Sequence, residues 1–375
     1  MKRAESLFSK IRAGILSGQL GKNGDRFMTI RDFAKQHTCS LHCALDVFSM
    51  LLDCRILRKA GKHCYITTGR CPPDSDYGKI LSDSTQKLFG VLLSENSNPF
   101  FGSLIDQLQD VLQQNGMDLI TATSGGDIAR ERHILDMFVD LKCKGVFNCI
   151  TIQRGQQNYF AYYPLPVVTL AEDSSLSSID AIMVDNFAAG KQVAKHLIDA
   201  GCKSFAYITL DNYIESDMRL EGYRQHLTSK QINLSINNIG IVSGVNDELR
   251  ARDVNRFVRN LLENAVASGD NLPLGIFCVH DLLAVEVMRI IKHSTPKTQR
   301  KLHIPEDVKI VGFDDLPLAS LVSIPITTVS YPYSAMAGKA FDVMMDYLQN
   351  PNHQPKCYEI QSSLVIRESS QKACP

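Results

Sequence analysis

From residue 88 onward, short apolar runs rich in β-branched residues alternate with helical stretches almost to the end of the chain. That alternation constrains the fold more than any other feature. Strands are expected at 88–93, 117–122, 145–150, 167–170, 181–184, 205–210, 239–242, 275–279 and 308–313, with helices at 101–115 and 128–141 among those between them. Strands separated by helices belong to parallel sheets, because a parallel pair needs a crossover connection. The stretch is too long for one ordinary open sheet, which predicts two lobes. Ligands of open parallel sheets sit beyond the carboxyl ends of the strands, so two facing sheets would form a cleft able to close on one.

The first 69 residues are of a different kind. They hold 12 Lys and Arg against 5 Asp and Glu, within a chain whose totals balance at 40 and 40. A basic end on an acidic body fits contact with a polyanion, and fits a solvated basic face equally well. Apolar residues at helical spacing predict short helices over 7–16, 30–34 and 41–52. Two extended runs around Gly61 follow and predict a hairpin. Three helices and a hairpin make a winged helix. Cys71-Pro72-Pro73 then interrupts any regular pattern. The expected division is therefore a winged helix-turn-helix over 1–69, a linker over 70–86, and a two-lobed α/β body over 87–375.

The N-terminal motifs are Thr29-Ile30-Arg31-Asp32-Phe33-Ala34, Thr38-Cys39-Ser40-Leu41-His42-Cys43-Ala44, and the glycine hairpin. Together they resemble the winged helix-turn-helix of the GntR family. The resemblance implies double-stranded operator DNA as a partner, with Thr29, Arg31, Ser40 and His42 at the major groove and Lys62 and His63 at the wing. Arg31 matches the first DNA-contacting arginine of that family. The two arginines expected on the recognition helix are Leu41 and Leu45 here. Two bidentate guanine readers are thus missing, each worth roughly 1 to 3 kcal/mol of discrimination.

His37, Cys39, His42 and Cys43 place four nitrogen and sulfur donors within one turn and helix. Structural zinc usually draws ligand pairs from separate parts of a chain, so the cysteines are read as small buried hydrophobes, with no metal and no cofactor expected. Eleven cysteines at irregular spacings read as reduced thiols. No apolar run approaches membrane-span length, and no h-region follows the charged N-terminus. A cytoplasmic protein is expected.

The body carries a second, longer resemblance. Its motifs include Phe89-Gly90-Val91, Asn98-Pro99-Phe100-Phe101, Pro166-Val167-Val168, Val184-Asp185-Asn186 and Arg219-Leu220-Glu221-Gly222-Tyr223. His280-Asp281-Leu282-Leu283-Ala284, Val311-Gly312-Phe313-Asp314-Asp315 and Pro325-Ile326-Thr327-Thr328-Val329 continue the series. In this order and spacing they resemble the effector-binding core of the LacI/GalR repressors, related to periplasmic sugar-binding proteins. The resemblance implies that Arg219 and Asp281 contact a small effector, most simply a carbohydrate. It also implies that the core dimerises.

Chemistry at these positions is compatible with that role. Arg219, expected just before a helix, can fork onto two hydroxyls or a carboxylate. Asp281, opening a helix after a strand, has two readings: acceptor of ligand hydroxyls, or N-cap of that helix. Phe100 and Phe101 are either ligand-facing aromatics or core packing. Tyr333 is a candidate second wall. An acidic residue often follows the Pro-Val-Val strand in the family, whereas this chain reads Ala171-Glu172, and it has no tryptophan to stack on a sugar ring. Asp314-Asp315 is read as a turn where the chain crosses between lobes.

No phosphate loop, nucleophile elbow or zinc-protease motif is visible, so an enzyme is not expected. The sequence reads as a sugar-controlled DNA-binding repressor, working as a homodimer and similar to the arabinose-type hybrids of the two families. A regulator answering to a nucleobase-type effector is the alternative, as is a ligand-binding or dimerisation protein with weakened DNA binding.

Overall fold

The computed structural model describes residues 2–16, 19–21, 25–53, 56–60, 63–66, 87–94, 99–149, 160, 163–170, 179–211, 215–244, 247–267, 271–293, 300–350 and 353–371. The chain forms two compact units. One comprises Met1–Ile182 with Ala337–Cys357, the other Met183–Met336 with Tyr358–Pro375.

The first unit opens with α1 (Lys2–Leu16), α2 (Ile30–Gln36) and α3 (Leu41–Asp53). The Thr29 hydroxyl oxygen caps α2 by accepting the Asp32 N–H at 3.2 Å, and Ser40 accepts the Cys43 N–H at 3.1 Å at the start of α3. Each cap satisfies a backbone donor that an isolated helix leaves unpaired. Phe8, Ile11, Phe33, Val47 and Phe48 are buried between these helices, Phe33 and Phe48 meeting edge to face at 5.4 Å. Strands β1 (Leu57–Ala60) and β2 (His63–Ile66) pair antiparallel, Leu57 opposite Ile66, and Tyr65 bridges back to Arg26. These are the three helices and the hairpin expected from apolar spacing.

The rest of the first unit is built on β3 (Lys87–Leu93), β4 (Met117–Thr123), β5 (Val146–Cys149), β6 (Val167–Leu170) and β7 (Asp180–Val184), with helices α4 (Pro99–Gln114) and α5 (Ile128–Asp140). The strands are parallel, in the order β7-β6-β5-β3-β4. Strands β5, β6 and β7 are buried along their whole length. That explains their continuous apolar character, since a parallel sheet is covered on both faces.

The second unit repeats the plan. Its helices are α6 (Asn186–Asp199), α7 (Glu215–Ser229), α8 (Asp247–Ala267), α9 (Asp281–His293), α10 (Pro317–Leu321) and α11 (Tyr333–Gln349), the last passing into the first unit from Ala337. Its strands are β8 (Ser204–Leu210), β9 (Ile239–Val242), β10 (Leu274–Cys278), β11 (Val308–Asp314) and β12 (Thr327–Ser330). They run parallel in the order β12-β11-β10-β8-β9. Two late strands close the edges: β13 (Cys357–Ile360) beside β7, and β14 (Ser363–Val365) antiparallel to β12. Each sheet is thus a doubly wound α/β sheet whose order reverses at one point, between β3 and β5 in one unit and between β8 and β10 in the other.

The expected strands lie within a residue or two of those observed, while β12, β13 and β14 were not among them. One expectation is corrected. Asp314 and Asp315 form a turn with left-handed backbone, φ 101° and 54°, but the chain stays in the second unit there and leaves it after Met336. The expected linker over 70–86 lies outside the described residues.

Candidate functional site

The second unit gathers its polar groups where its sheet reverses. Arg219 lies in α7 rather than before a helix, as expected from sequence, and is 2% exposed. Its Nε donates to Asn186 Oδ1 at 2.8 Å, and an Nη donates to the Val279 carbonyl at 2.6 Å. The guanidinium carbon sits 3.5 Å from the centroid of the Phe313 ring, a cation–π contact. Asn186 begins α6, Val279 follows β10, and Phe313 is near the end of β11. Three separate elements therefore hold one buried cation at the carboxyl edge of the sheet.

Two glycines make that position possible. A Cβ on Gly190 of α6 would collide with the Arg219 carbonyl oxygen, and one on Gly222 of α7 would collide with the Phe187 carbonyl oxygen. The backbones of α6 and α7 touch at these points, so the Arg219 side chain begins next to the N-terminus of α6.

Asp281, the first residue of α9, has no exposed surface. Its Oδ1 accepts the Thr328 hydroxyl at 2.6 Å and its Oδ2 accepts the Leu316 N–H at 2.8 Å. It therefore ties α9 to β12 and to the start of α10. The N-cap of α9 is supplied instead by His280, whose Nδ1 accepts the Leu283 N–H at 3.0 Å. Accepting through Nδ1 requires the neutral ring. Burial pushes the His280 pKa down to about 4, and the Arg219 and Arg250 cations act in the same direction. Burial raises Asp281 to about 7, against the opposing pull of its hydrogen bonds to Thr328 and Leu316.

Around this edge, Asp315 pairs with Arg367 at 2.7 Å, and the Tyr333 hydroxyl donates to the Asp314 carbonyl at 3.1 Å. The Tyr333 and Tyr331 rings lie 5.2 Å apart. Arg219, Asp281 and Tyr333, chosen from the sequence, thus all belong to the second unit. Asn186, His280, Phe313 and Thr328 complete the arrangement. They stood in the quoted motifs, but nothing in their spacing distinguished them from packing residues.

In the first unit, Phe100 and Phe101 occupy the first turn of α4, after β3, with ring centroids 5.3 Å apart. Phe100 is buried and Phe101 half-buried. Residues 171 and 172 lie outside the described residues.

At the N-terminal helices, Thr29 is occupied as a cap, and its hydroxyl also donates to Asp32 Oδ2 at 2.6 Å. Arg31, Ser40 and His42 are exposed on α2 and at the start of α3, together with Leu41 and Leu45. His63 is half-buried at the start of β2, and Lys62 lies outside the described residues. Cys39 and Cys43 pack half-buried against the helical core, and burial raises the Cys39 pKa. Among the described residues, no helix is long and apolar enough to cross a membrane, and no group of three or more His, Cys, Asp or Glu could hold a metal ion.

The two parallel sheets have matching strand orders. Residues 194–370 match the periplasmic binding protein-like domain. The chain is 24% identical over 303 residues to the HTH-type transcriptional repressor PurR of Vibrio vulnificus, covering 80% of this chain and 85% of that protein. It is 27% identical over 286 residues to the ribose operon repressor of Haemophilus influenzae, covering 76% and 81%. Among solved structures it is similar to a LacI family transcriptional regulator from Enterococcus faecium with bound ribose: TM-score 0.61, 19% identity, 77% of this chain and 100% of that one. The periplasmic binding protein-like body thus accompanies similarity to LacI/GalR-type repressors.

Proposed function

We propose that the chain is a DNA-binding transcription repressor whose affinity for its operator is set by a small ligand, a sugar, taken up by the periplasmic binding protein-like body. The observation that carries this reading is the buried Arg219, stacked on Phe313 and held by two neutral acceptors at the reversal point of a doubly wound sheet. A preorganised guanidinium there can fork onto vicinal hydroxyls, and Phe313 offers an aromatic neighbour. Asp281 orders the same edge, and Tyr333, Phe100 and Phe101 are further proposed ligand contacts. The ribose-bound and ribose-repressor relatives support a sugar.

The first 69 residues are proposed to bind operator DNA through Thr29, Arg31, Ser40, His42, Lys62 and His63, followed by a linker over 70–86 and the body over 87–375. The LacI-type relatives favour a LacI-type helix-turn-helix for this segment. The hairpin after α3 and its bridge to Arg26 support the winged, GntR-like form. A homodimer would place two such modules on a pseudo-palindromic site. A coupling of about 1 to 3 kcal/mol between ligand and DNA gives a five- to 150-fold switch.

The test is a thermal-shift panel of pentoses, hexoses and nucleobases on the full chain, followed by operator binding with and without the hit. A sugar that raises the melting temperature, fails to do so with Arg219→Ala, and changes DNA affinity is the expected result. A nucleobase hit replaces the sugar, and a panel with no hit removes the sensor role.

A further inference from the structure

Helix α3 leaves two leucines exposed beside the polar His42 and Ser49. Leu41 and Leu45 are 53% and 47% exposed, whereas Ala44, Val47, Phe48 and Leu51 of the same helix are buried. Residues four apart on a helix are neighbours, about 5 to 6 Å between Cβ atoms, so the two leucines form one knob pair. The neighbouring elements carry exposed cations: Arg31 and Lys35 on α2, Arg26 at the bridge to β2, and Lys59 on β1. The nearby carboxylates are partly engaged, Asp32 with the Thr29 hydroxyl at 2.6 Å and Asp46 with His42 at 3.9 Å. An exposed leucine pair on a module with a net basic charge complements a polyanion that carries apolar groups of its own. In the major groove of DNA, that group is the C5-methyl of thymine.

We infer that Leu41 and Leu45 read thymine methyl groups, so that the chain selects a half-site defined by A·T pairs at the positions under α3. The inference rests on the DNA-binding reading above. A leucine side chain neither donates nor accepts a hydrogen bond, so the methyl is the one feature of a base edge it can tell apart. Four residues of helix rise about 6 Å and one base step about 3.4 Å, so the two leucines reach methyls up to two steps apart. Phosphate contacts from Arg31 and Lys35 then position the helix without adding sequence information.

The experiment is selection of duplexes from a random pool by the full chain, followed by replacement of single thymidines in the winning duplex with deoxyuridine, which removes only the methyl. Burying one methyl is worth about a four-fold change in affinity. The expected result is a loss of that size at one or two thymidines of each half-site. It should vanish in Leu41→Ala/Leu45→Ala, whose changes lie on the exposed face and leave the helix melt in place. Equal binding of thymidine and deoxyuridine duplexes overturns the inference and leaves the DNA-binding reading standing. If no duplex is enriched above the pool, the DNA-binding reading fails and the inference with it.

Discussion

Gly190 and Arg219 are in backbone contact: a Cβ on Gly190 would overlap the Arg219 carbonyl oxygen and crowd the Tyr223 nitrogen. In an ordinary helix, replacing glycine by alanine stabilises by about 1 kcal/mol. Here the methyl meets backbone of α7, which cannot rotate aside. Gly190→Ala is expected to destabilise the folded chain by about 1 to 3 kcal/mol and to weaken ligand binding by moving Arg219. Chemical denaturation decides the sign; a gain in stability would show that α6 and α7 do not touch as described.

Arg219 serves stability as well as recognition. Arg219→Ala strands the Asn186 Oδ1 and Val279 carbonyl acceptors in a buried place, a cost of about 1 to 3 kcal/mol for each group left unpaired. Arg219→Lys keeps the charge but lacks the fork, so it should recover part of the stability and little of the ligand affinity. Denaturation midpoints and ligand titrations on the two variants separate the contributions.

Asp281 makes folding sensitive to pH. Burial raises its folded pKa to about 7 from an ordinary 3.8. Between those values the folded chain keeps a proton that the unfolded chain has released, so stability falls as pH rises through that window and levels off above it. Asp281→Asn cannot ionise. The stability of the native chain relative to that variant should drop between pH 5 and pH 8, by an amount on the order of a few kcal/mol. A constant difference across the window would mean that the carboxyl is already ionised at pH 5.

His353 acts in the same sense, since its folded pKa is also raised. Burial acts to lower its pKa, but hydrogen bonds to Asp346 at 2.6 Å and Asp180 at 2.7 Å outweigh that and raise it. The group bonds best as a cation, so its contribution is fully present below the unfolded value of 6.5 and is lost as pH rises through the higher folded value. His353→Gln should lower the melting temperature more at pH 6 than at pH 9. Equal losses at both values would show that the neutral ring makes the same bonds.

Arg31 is exposed beside α3. If it neutralises one phosphate, Arg31→Ala weakens operator binding and lowers the slope of log affinity against log salt by about one. Titrations at several salt concentrations measure that slope directly, and an unchanged slope would place Arg31 away from the DNA backbone.

Strands such as β5, β6, β7 and β10 were legible in the sequence because covered parallel strands are apolar on both faces. The N-terminal helices were legible because apolar residues recur at helical spacing within them, Phe8, Ile11 and Ile15 in α1 and Ala44, Val47, Phe48 and Leu51 in α3. Strand β12 was missed for a physical reason. Its Thr327 and Thr328 are fully buried, but their hydroxyls interrupt any apolar run, and the burial is explained only when the Arg367 carbonyl and Asp281 are seen to accept them. Strands β13 and β14 are short edge strands with little buried surface, so they carry no apolar run.

What the sequence by itself determined was local: apolar period, turns, and the charge contrast between the first 69 residues and the rest. Tertiary structure alone decided that Arg219 stands within α7 against Phe313, that His280 rather than Asp281 caps α9, and that Asp281 accepts from Thr328 and Leu316. Apart from the His280 cap, those facts depend on groups 33 to 94 positions apart. Periodicity reports which face of an element is buried, whereas the partner a buried polar group finds is set by how separate elements pack.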